Sequence, residues 1–448
     1  MPDTELTVSH PIVITVPVGG LDFNGVVAAI RQAAAQACGE MLGCVLRAVE
    51  RRARGREPDR WVNRGQATRR LRLPWGEVAI RRTRVRDRRT GQTYNLADRL
   101  LGLRPYVRRG VEEVQTACEL AVTLPYRAAC HWWRRLTGLK SSVMNFWRMV
   151  QQAGQRLVDQ EQDQVGEIRE GDPSPPAVRR VYLEADGAWL RRQKPRRPRA
   201  TGPPPTSDGA TQPKASGLLL YVGASYSQLH QTGRRRWNAV DKQVLVEAEN
   251  IRSFGRQWAW QVQRRFDLVR SPNQLFLSDG EDGLLRLARR HFRSALVQLD
   301  RFHVHQQLGR AFGLRTPGYQ TALRALCQGR LGDVRSLLAL RGVGPRRAVC
   351  QEVRTYLDRH EALLWTHRQW ERRTTIRKMG SGVIEKTIET QINRRMKKQG
   401  MSWSVPGARR LAKLRVLYPD RPGWEAFWAR SLSETGQHAP SDPKAEVS

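Results

Sequence analysis

No stretch of this 448-residue chain approaches the run of about 18 apolar residues that a membrane-spanning helix requires. The apolar segment near the N-terminus, PIVITVPVGG, is short and lacks the basic lead-in of a secretory signal. Paired cysteines are missing too. The six thiols, Cys38, Cys44, Cys118, Cys130, Cys327 and Cys350, are scattered without a CxxC pair or a matching His pair, which argues against a disulfide framework and a zinc ribbon. They read as reduced core thiols of a soluble cytosolic protein. Acid is scarce relative to base, with 42 Asp and Glu against 78 Lys and Arg, a formal charge of +36. Such a surplus repels itself unless a polyanion neutralises it, and nucleic acid is the usual one, with an anionic membrane surface as the competitor.

At 448 residues, 40% of them hydrophobic, the chain is expected to form about three domains. Within residues 25–50 apolar side chains recur at Val26, Ile30, Ala33, Ala37, Met41, Val45 and Val49, the stripe of an amphipathic helix packed on a neighbour. Between Arg69 and Val85 the pattern turns to alternation, with Leu71 and Leu73, then Pro-Trp-Gly, then Val78 and Ile80, which predicts a hairpin. Nine arginines lie within residues 69–89. Such a face suits phosphate binding, and an edge strand charged against aggregation carries the same residues.

Residues 111–157 predict three short helices. Val111, Val114, Cys118, Ala121 and Leu124 mark the first, Pro125 breaks it, and Tyr126–Leu136 form the second; Thr137-Gly138-Leu139 then turn the chain into a third from Ser141. Two helices joined by a short Gly-containing turn make a helix-turn-helix, although a plain helical hairpin has the same pattern. On the third helix Val143, Phe146, Trp147 and Val150 are expected inward. Ser142, Asn145, Arg148 and Gln152 then point outward, residue types that reach base edges and phosphates from the major groove.

After a Pro-containing linker, EGDPSPPAV, come five apolar runs of strand length: Val181–Leu190, Leu218–Ser225, Lys242–Glu249, Leu275–Asp279 and Ala295–Asp300. Helical stretches are expected at Phe254–Phe266, Leu284–Phe292 and His303–Phe312. Three strands followed by alternating helices and strands imply a mixed α/β sheet. The segment between the first two strands, rich in Arg, Pro and Gly, reads as a disordered basic loop. Residues 316–372 are helical in pattern, and the polar tail from Ser433 reads as disordered.

Asp186 lies in EADG within the first strand and Asp279 in SDG at the end of the fourth. Asp-Gly is a turn signal, yet each acid follows apolar strand residues, as expected where sites on α/β sheets gather. A later helix runs through GSGVIEKTIETQINRRMKKQG, Gly380 to Gly400, with Ile384, Ile388, Ile392 and Met396 as its apolar side. Glu385 and Glu389 form the neighbouring stripe, while Arg394, Arg395, Lys397 and Lys398 crowd the last turn, where positive charge suits the helix dipole. Helix-end electrostatics on a solvated face is the simpler account. If Asp186, Asp279 and one glutamate converge instead, their like charges raise one another's pKa until a divalent cation relieves them. Oxygen ligation favours Mg²⁺ or Mn²⁺ over zinc, and two such ions roughly 3.5–4 Å apart would hold the attacking and leaving oxygens of a phosphoryl transfer. The cationic last turn would then hold the DNA being cut.

Taken together, EADG at Asp186, SDGEDGL at Asp279, LDRFHVHQQL from Leu299 and GSGVIE with NRRMKKQGMSWS from Gly380 resemble bacterial insertion-sequence transposases of the ISLre type, relatives of the Mutator-like Asp-Asp-Glu transposases. TRRLRLPWGEVAIRRTRVRDRRTGQTY followed by LPYRAACHWWRRLTG is similar to the same family, so the likeness spans residues 60–418. The resemblance implies a multidomain α/β protein with an RNase H-like mixed-sheet core and an all-helical insertion. It implies that Asp186, Asp279 and Glu385 bind the metal ions, and selects Glu385 where spacing permits Glu389 equally. It equates Asp300-Arg301-Phe302-His303 with an Asp-x-x-His signature, which brings Asp300 and His303 into the active site. Asp282 offers a competing carboxylate, and the Arg/Pro-rich loop is longer than the family needs.

The expected organisation is a helical region at 1–60, a basic hairpin region at 61–108 and a helix-turn-helix domain at 109–170. The core follows in two parts, 171–315 and 373–432, around a helical insertion at 316–372, with a tail at 433–448. The implied function is a DNA transposase acting on double-stranded DNA as a homodimer or larger assembly in the bacterial cytoplasm, at the nucleoid. An inactive DNA-binding regulator and a structure-selective nuclease would carry the same surfaces.

Overall fold

The computed structural model describes residues 23–73, 76–101, 110–166, 174–193, 217–233, 236–374, 380, 382–398 and 400–437. Chain contacts divide these into two units, one of residues up to Ala153 together with those from Tyr418, and one of Gly154–Leu417. The division differs from the expected organisation at both joins, because the boundary after Ala153 falls inside the region expected at 109–170 and the C-terminal helix Arg421–Gln437 joins the first unit. That helix also includes residues 433–437 of the segment expected to be disordered. Among the described residues no helix is long and apolar enough to cross a membrane, and all six cysteines are free thiols.

The first unit opens with α1 (Phe23–Arg56), followed by an antiparallel sheet of β1 (Trp61–Leu73), β2 (Gly76–Asp87) and β3 (Thr93–Asn95), and by α2 (Leu96–Leu100). The expected hairpin is thus the long part of a three-stranded sheet; Pro74 and Trp75 of its turn lie outside the described residues. The face that α1 buries matches the predicted apolar stripe only in part: Ala37 is buried, but Ile30 is 45% exposed, Met41 36% and Val45 37%. Two features turn the helix. A Cβ at Gly39 would stand 2.8 Å from Val78 Cγ1, so glycine permits close approach to β2. Glu50, buried, accepts hydrogen bonds from Thr83 N–H (3.0 Å) and Ala97 N–H (3.1 Å), pinning the adjacent helix face with a polar anchor. Leu46, Ile80 and Ala97 fill the space between.

Helices α3 (Val111–Thr123), α4 (Tyr126–Thr137) and α5 (Val143–Asp163) follow. Pro125 separates the first two, and Gly138, at φ 70°, ends α4 in the left-handed conformation that glycine adopts without strain. Trp133 is buried edge-on to Phe146 and donates its indole N–H to Glu113 O at 3.0 Å. Val143, expected inward, is exposed because α5 only begins there. The C-terminal helix Arg421–Gln437 packs Trp424 and Trp428 into this unit, Trp424 donating to Glu119 at 3.2 Å.

The second unit is built on a five-stranded mixed sheet from β4 (Arg180–Arg191), β5 (Gly217–Tyr226), β8 (Gln243–Ala248), β9 (Asn273–Ser278) and β10 (Leu296–Leu299), in the order β10-β9-β4-β5-β8. β4 pairs antiparallel with β5, and β5 with β8, whereas β4, β9 and β10 run parallel. All five expected strands are present within two residues of their predicted ends. A hairpin of β6 (Gln228–Gly233) and β7 (Arg236–Val240) was not expected, because its residues are polar and little branched.

Helices α6 (Ile251–Arg265) and α7 (Asp282–His291) cover one face of the sheet around Trp258, Phe276 and Phe292. Beyond β10, α8 (Arg301–Phe312), α9 (Pro317–Cys327), α10 (Leu331–Arg341) and α11 (Arg347–Arg359) enclose a core of their own around Leu308, Leu326, Leu338 and Val353. On the other face of the sheet, Trp370 of α12 (Thr366–Thr374) and Val383 of α13 (Gly382–Thr387) pack against Tyr182, Tyr226 and Leu277. The unit then continues through α14 (Arg394–Met396) and ends with α15 (Val405–Leu417). Of the Arg/Pro-rich loop, expected to begin at Arg191, that residue still belongs to β4, and residues 194–216 lie outside the described residues.

Candidate active site

Alternation along β4 sets the site. Val181, Leu183 and Ala185 enter the core beneath α6 and α7, so Tyr182, Glu184 and Asp186 take the opposite face, toward α12 and α13. Asp186 accepts a hydrogen bond from Gly187 N–H at 2.6 Å. Burial, joined by the charges of Asp279 and Asp300, outweighs that bond and the nearby His303 and pushes its carboxyl up to about 6.

Asp279 follows the last residue of β9. Its Oδ1 accepts from Glu281 N–H at 2.9 Å, and its carbonyl accepts from the Tyr356 hydroxyl at 2.9 Å. Gly280, at φ 95°, completes the turn with no room for a side chain, since a Cβ would lie 2.7 Å from His360 Nε2. The helical insertion thereby clamps the turn that carries the second acid.

Asp300 and His303 belong to the first turn of α8. Asp300, fully buried, caps the helix through Phe302 N–H at 3.2 Å and lies 2.8 Å from His303 Nδ1. A carboxylate only accepts, so Nδ1 carries the hydrogen and Nε2 is the other functional nitrogen. Burial lowers the affinity of His303 for a proton, but its bond to Asp300 and the charges of Asp300, Asp186 and Asp279 raise it overall.

Glu385 is in the first turn of α13. Burial raises its pKa, and Asp300 adds to the effect against the opposing His303, with Asp186 and Glu184 contributing further. Asp300, His303 and Glu385 each bring a ligand atom within 4.8 Å of the others; among the described residues no other trio of His, Cys, Asp or Glu does so. The expected set of Asp186, Asp279 and Glu385 is therefore more open than that limit, although Asp186 feels the charge of Asp279 and Glu385 that of Asp186.

Of the other acids in the SDGEDG turn, Glu281 joins this electrostatic group. Its pKa is raised by burial and then by Asp279 and Asp186, against Arg286. Asp282 instead pairs with Arg359.

The expected single helix from Gly382 is interrupted. After α13 a π-helical segment spans Ile388–Asn393 before α14, although Ile384, Ile388, Ile392 and Met396 all remain buried. Arg415 of α15 donates to the carbonyl oxygens of Thr390, at 2.7 Å, and Gln391 in that segment. Glu389 sits with Lys398 and with Arg394, at 3.6 Å, so the two glutamates have different surroundings.

Glu184 was not anticipated. It is fully buried, accepts from the Tyr226 hydroxyl, and accepts from Ile384 N–H at 2.8 Å. One carboxylate thus joins the strand of Asp186 to the residue preceding Glu385. Lys242 lies nearby and reaches the Thr387 hydroxyl at 3.4 Å; burial and then Lys386 hold its amine below the usual range, against Glu184. The legible signal is an acid at an inward position of an otherwise apolar strand.

Ser142, Asn145, Arg148 and Gln152 are all exposed. Ser142 also caps α5, its hydroxyl accepting from Asn145 N–H at 3.1 Å. Among the cations after the glutamates, Arg394, Lys397 and Lys398 are exposed, but Arg395 departs from the expectation of a solvent-facing contact. It is 2% exposed, lies 5.7 Å over the Trp403 ring and donates to Met401 Sδ at 3.1 Å. An aromatic face and a thioether accommodate its delocalised charge.

Residues 18–201 match the model of an uncharacterised protein family, UPF0236. The match includes β4 with Glu184 and Asp186 and stops before Asp279. Among curated proteins none matches the chain. Among solved structures, the Drosophila P element transposase strand transfer complex aligns with 73% of this chain and 81% of its own, at 11% identity and a TM-score of 0.25.

Proposed function

We propose that the protein is a DNA transposase of the ISLre type within the Mutator-like Asp-Asp-Glu group, with an RNase H-like core in residues 154–417. The observation that carries this reading is the cluster of Asp300, His303 and Glu385 beside a mixed sheet, their ligand atoms within 4.8 Å of one another, with Asp186 and Asp279 near enough for their charges to act on His303. The strand order supports it, as does the net charge of +36, which suits a phosphate-rich substrate.

The donor set suits a hard divalent cation: carboxylates predominate, and the pKa values of Asp186, Glu281 and Glu385 are raised by burial first and then by neighbouring acids, both of which a bound cation would offset. Asp186, Asp279 and Glu385 would hold Mg²⁺ or Mn²⁺, most simply two ions, with Asp300 and His303 beside them. When bound, such ions supply Lewis-acid stabilisation of phosphoryl-transfer charge. His303, held by Asp300, presents Nε2 for a hydrogen bond to the substrate phosphate. In the first step water attacks phosphorus, a P–O bond forms, the bond to the 3′-oxygen breaks, one water proton leaves to solvent, and the departing 3′-oxygen takes up a proton to become a hydroxyl. In the second the freed 3′-hydroxyl loses its proton and attacks a target phosphate, the bond from that phosphorus to the target's own 3′-oxygen breaks, and this oxygen leaves as a hydroxyl, exchanging one phosphodiester for another with no covalent protein intermediate.

The exposed residues Ser142, Asn145, Arg148 and Gln152 would read element ends, and Arg394, Lys397 and Lys398 would hold backbone near the cut. Two ends to be joined call for at least a homodimer on double-stranded DNA. Incubation of labelled element ends with target DNA and Mg²⁺ tests the proposal. Nicking and joined products are expected, both lost in Asp279→Asn while end binding persists. Nicking without joining would identify a nuclease, and binding without either would identify a regulator.

A further inference from the structure

A second feature of the chain lies far in sequence from the carboxylates. Arg47, Arg51 and Arg54 recur at i, i+4 and i+7 on α1 and so share one face of it. Together with Arg81 of β2 they line a cleft of about 390 Å³ between helix and sheet. A neighbouring hollow of about 370 Å³ shares Arg51 and Arg54 and extends to Trp61.

We propose that this cleft grips the phosphodiester backbone of one DNA strand, independently of sequence. The inference rests on the DNA-processing reading above but involves none of the active-site residues.

Three observations separate it from an ordinary solvated charge run. The guanidiniums come from two elements and converge on a concavity, where positive potential is focused rather than dispersed. Glu50, the acid at the cleft, is engaged by Thr83 and by Ala97 N–H, and among the described residues no acid pairs with Arg51, Arg54 or Arg81. The site is also elongated. Arg47 to Arg54 covers about 10 Å of helix axis at about 1.5 Å per residue, and the second hollow prolongs it, which suits a chain of phosphates better than one anion.

The test uses the full-length protein and a labelled duplex of arbitrary sequence, with affinity measured by anisotropy across a salt series. Substitution of Arg51, Arg54 and Arg81 together by Ala is compared with a charge-matched control, Arg289→Ala, Arg341→Ala and Arg347→Ala, exposed positions of the second unit. Near-UV circular dichroism checks that both variants fold.

The cleft variant is expected to lose about 2.7 from the slope of log K against log salt, at about 0.9 per phosphate contact, while the control keeps the wild-type slope. Equal losses in the two variants, or an unchanged slope in the cleft variant, would overturn the proposal. So would a cleft variant that loses binding to anionic lipid vesicles but not to DNA. Failure of the cleft variant to differ would leave Asp279-dependent cutting untouched, so the two readings fail separately.

Discussion

The backbone N–H of Ile384 donates to the side chain of Glu184 at 2.8 Å, across 200 positions of sequence. Glu184 stands two residues before Asp186 on β4, and Ile384 immediately precedes Glu385 on α13, so this one bond sets the spacing between two of the proposed ligands. The N-terminus of a helix favours a negative partner, which explains how a carboxylate is tolerated without solvent exposure.

Glu184→Gln should keep the fold and yet weaken divalent-cation affinity on the order of 10- to 100-fold, the usual effect of losing a group that orients a ligand. Glu184→Ala should also lower stability by about 1–3 kcal/mol, because Ile384 N–H and the Tyr226 hydroxyl lose their acceptor. Mn²⁺ titration followed by electron paramagnetic resonance, together with chemical denaturation, measures both. Unchanged Mn²⁺ affinity in Glu184→Gln would reduce Glu184 to a packing role.

The protonation of Asp186 gives a pH signature. Its carboxyl moves from an ordinary 3.8 to about 6 in the folded protein, so between those values the folded state keeps a proton that the unfolded chain releases. Cation-free protein should therefore lose stability on this account as pH rises from 3.8 to about 6, and the deficit should persist above that range. Its ceiling is about 3 kcal/mol at about 1.36 kcal/mol per unit. Asp186→Asn should recover much of it at neutral pH, and Mg²⁺ should raise the melting temperature of wild type more than that of the variant. Identical Mg²⁺ responses in thermal melts would contradict this assignment.

The first unit should respond to acid in the opposite sense. Burial disfavours the charge of Asp87, but Arg60, at 3.0 Å, Arg89 N–H and the Tyr94 hydroxyl more than compensate and pull its carboxyl down from 3.8 to about 2. Its contribution is complete above 3.8 and is lost as pH falls toward 2. Asp87→Asn should destabilise the protein at neutral pH by about 3 kcal/mol, the cost of breaking a buried ion pair, and flatten the acid limb of its stability profile. An acid limb as steep as that of wild type would assign the protection to other groups.

The strands of the mixed sheet were legible because buried strands need continuous apolar runs, and both Asp186 and Asp279 stand out against such runs. What escaped has a common cause: side chains whose polarity suggests solvent but whose geometry is internal. Glu50 anchors α1 beside its apolar stripe, Glu184 hides within a strand, and Arg395 lies buried over Trp403. Periodicity records apolarity and cannot register a hydrogen bond between segments 200 residues apart. The π-helical turn after Glu385 likewise leaves no mark in a four-residue apolar repeat that stays buried throughout.

Anomalous diffraction from crystals grown in Mn²⁺ addresses the cation-sharing claim most directly. The account predicts Mn²⁺ density in contact with the carboxylates of Asp186, Asp279 and Glu385, and its loss in Glu385→Gln. Density confined to other residues, or none at saturating Mn²⁺, would contradict it.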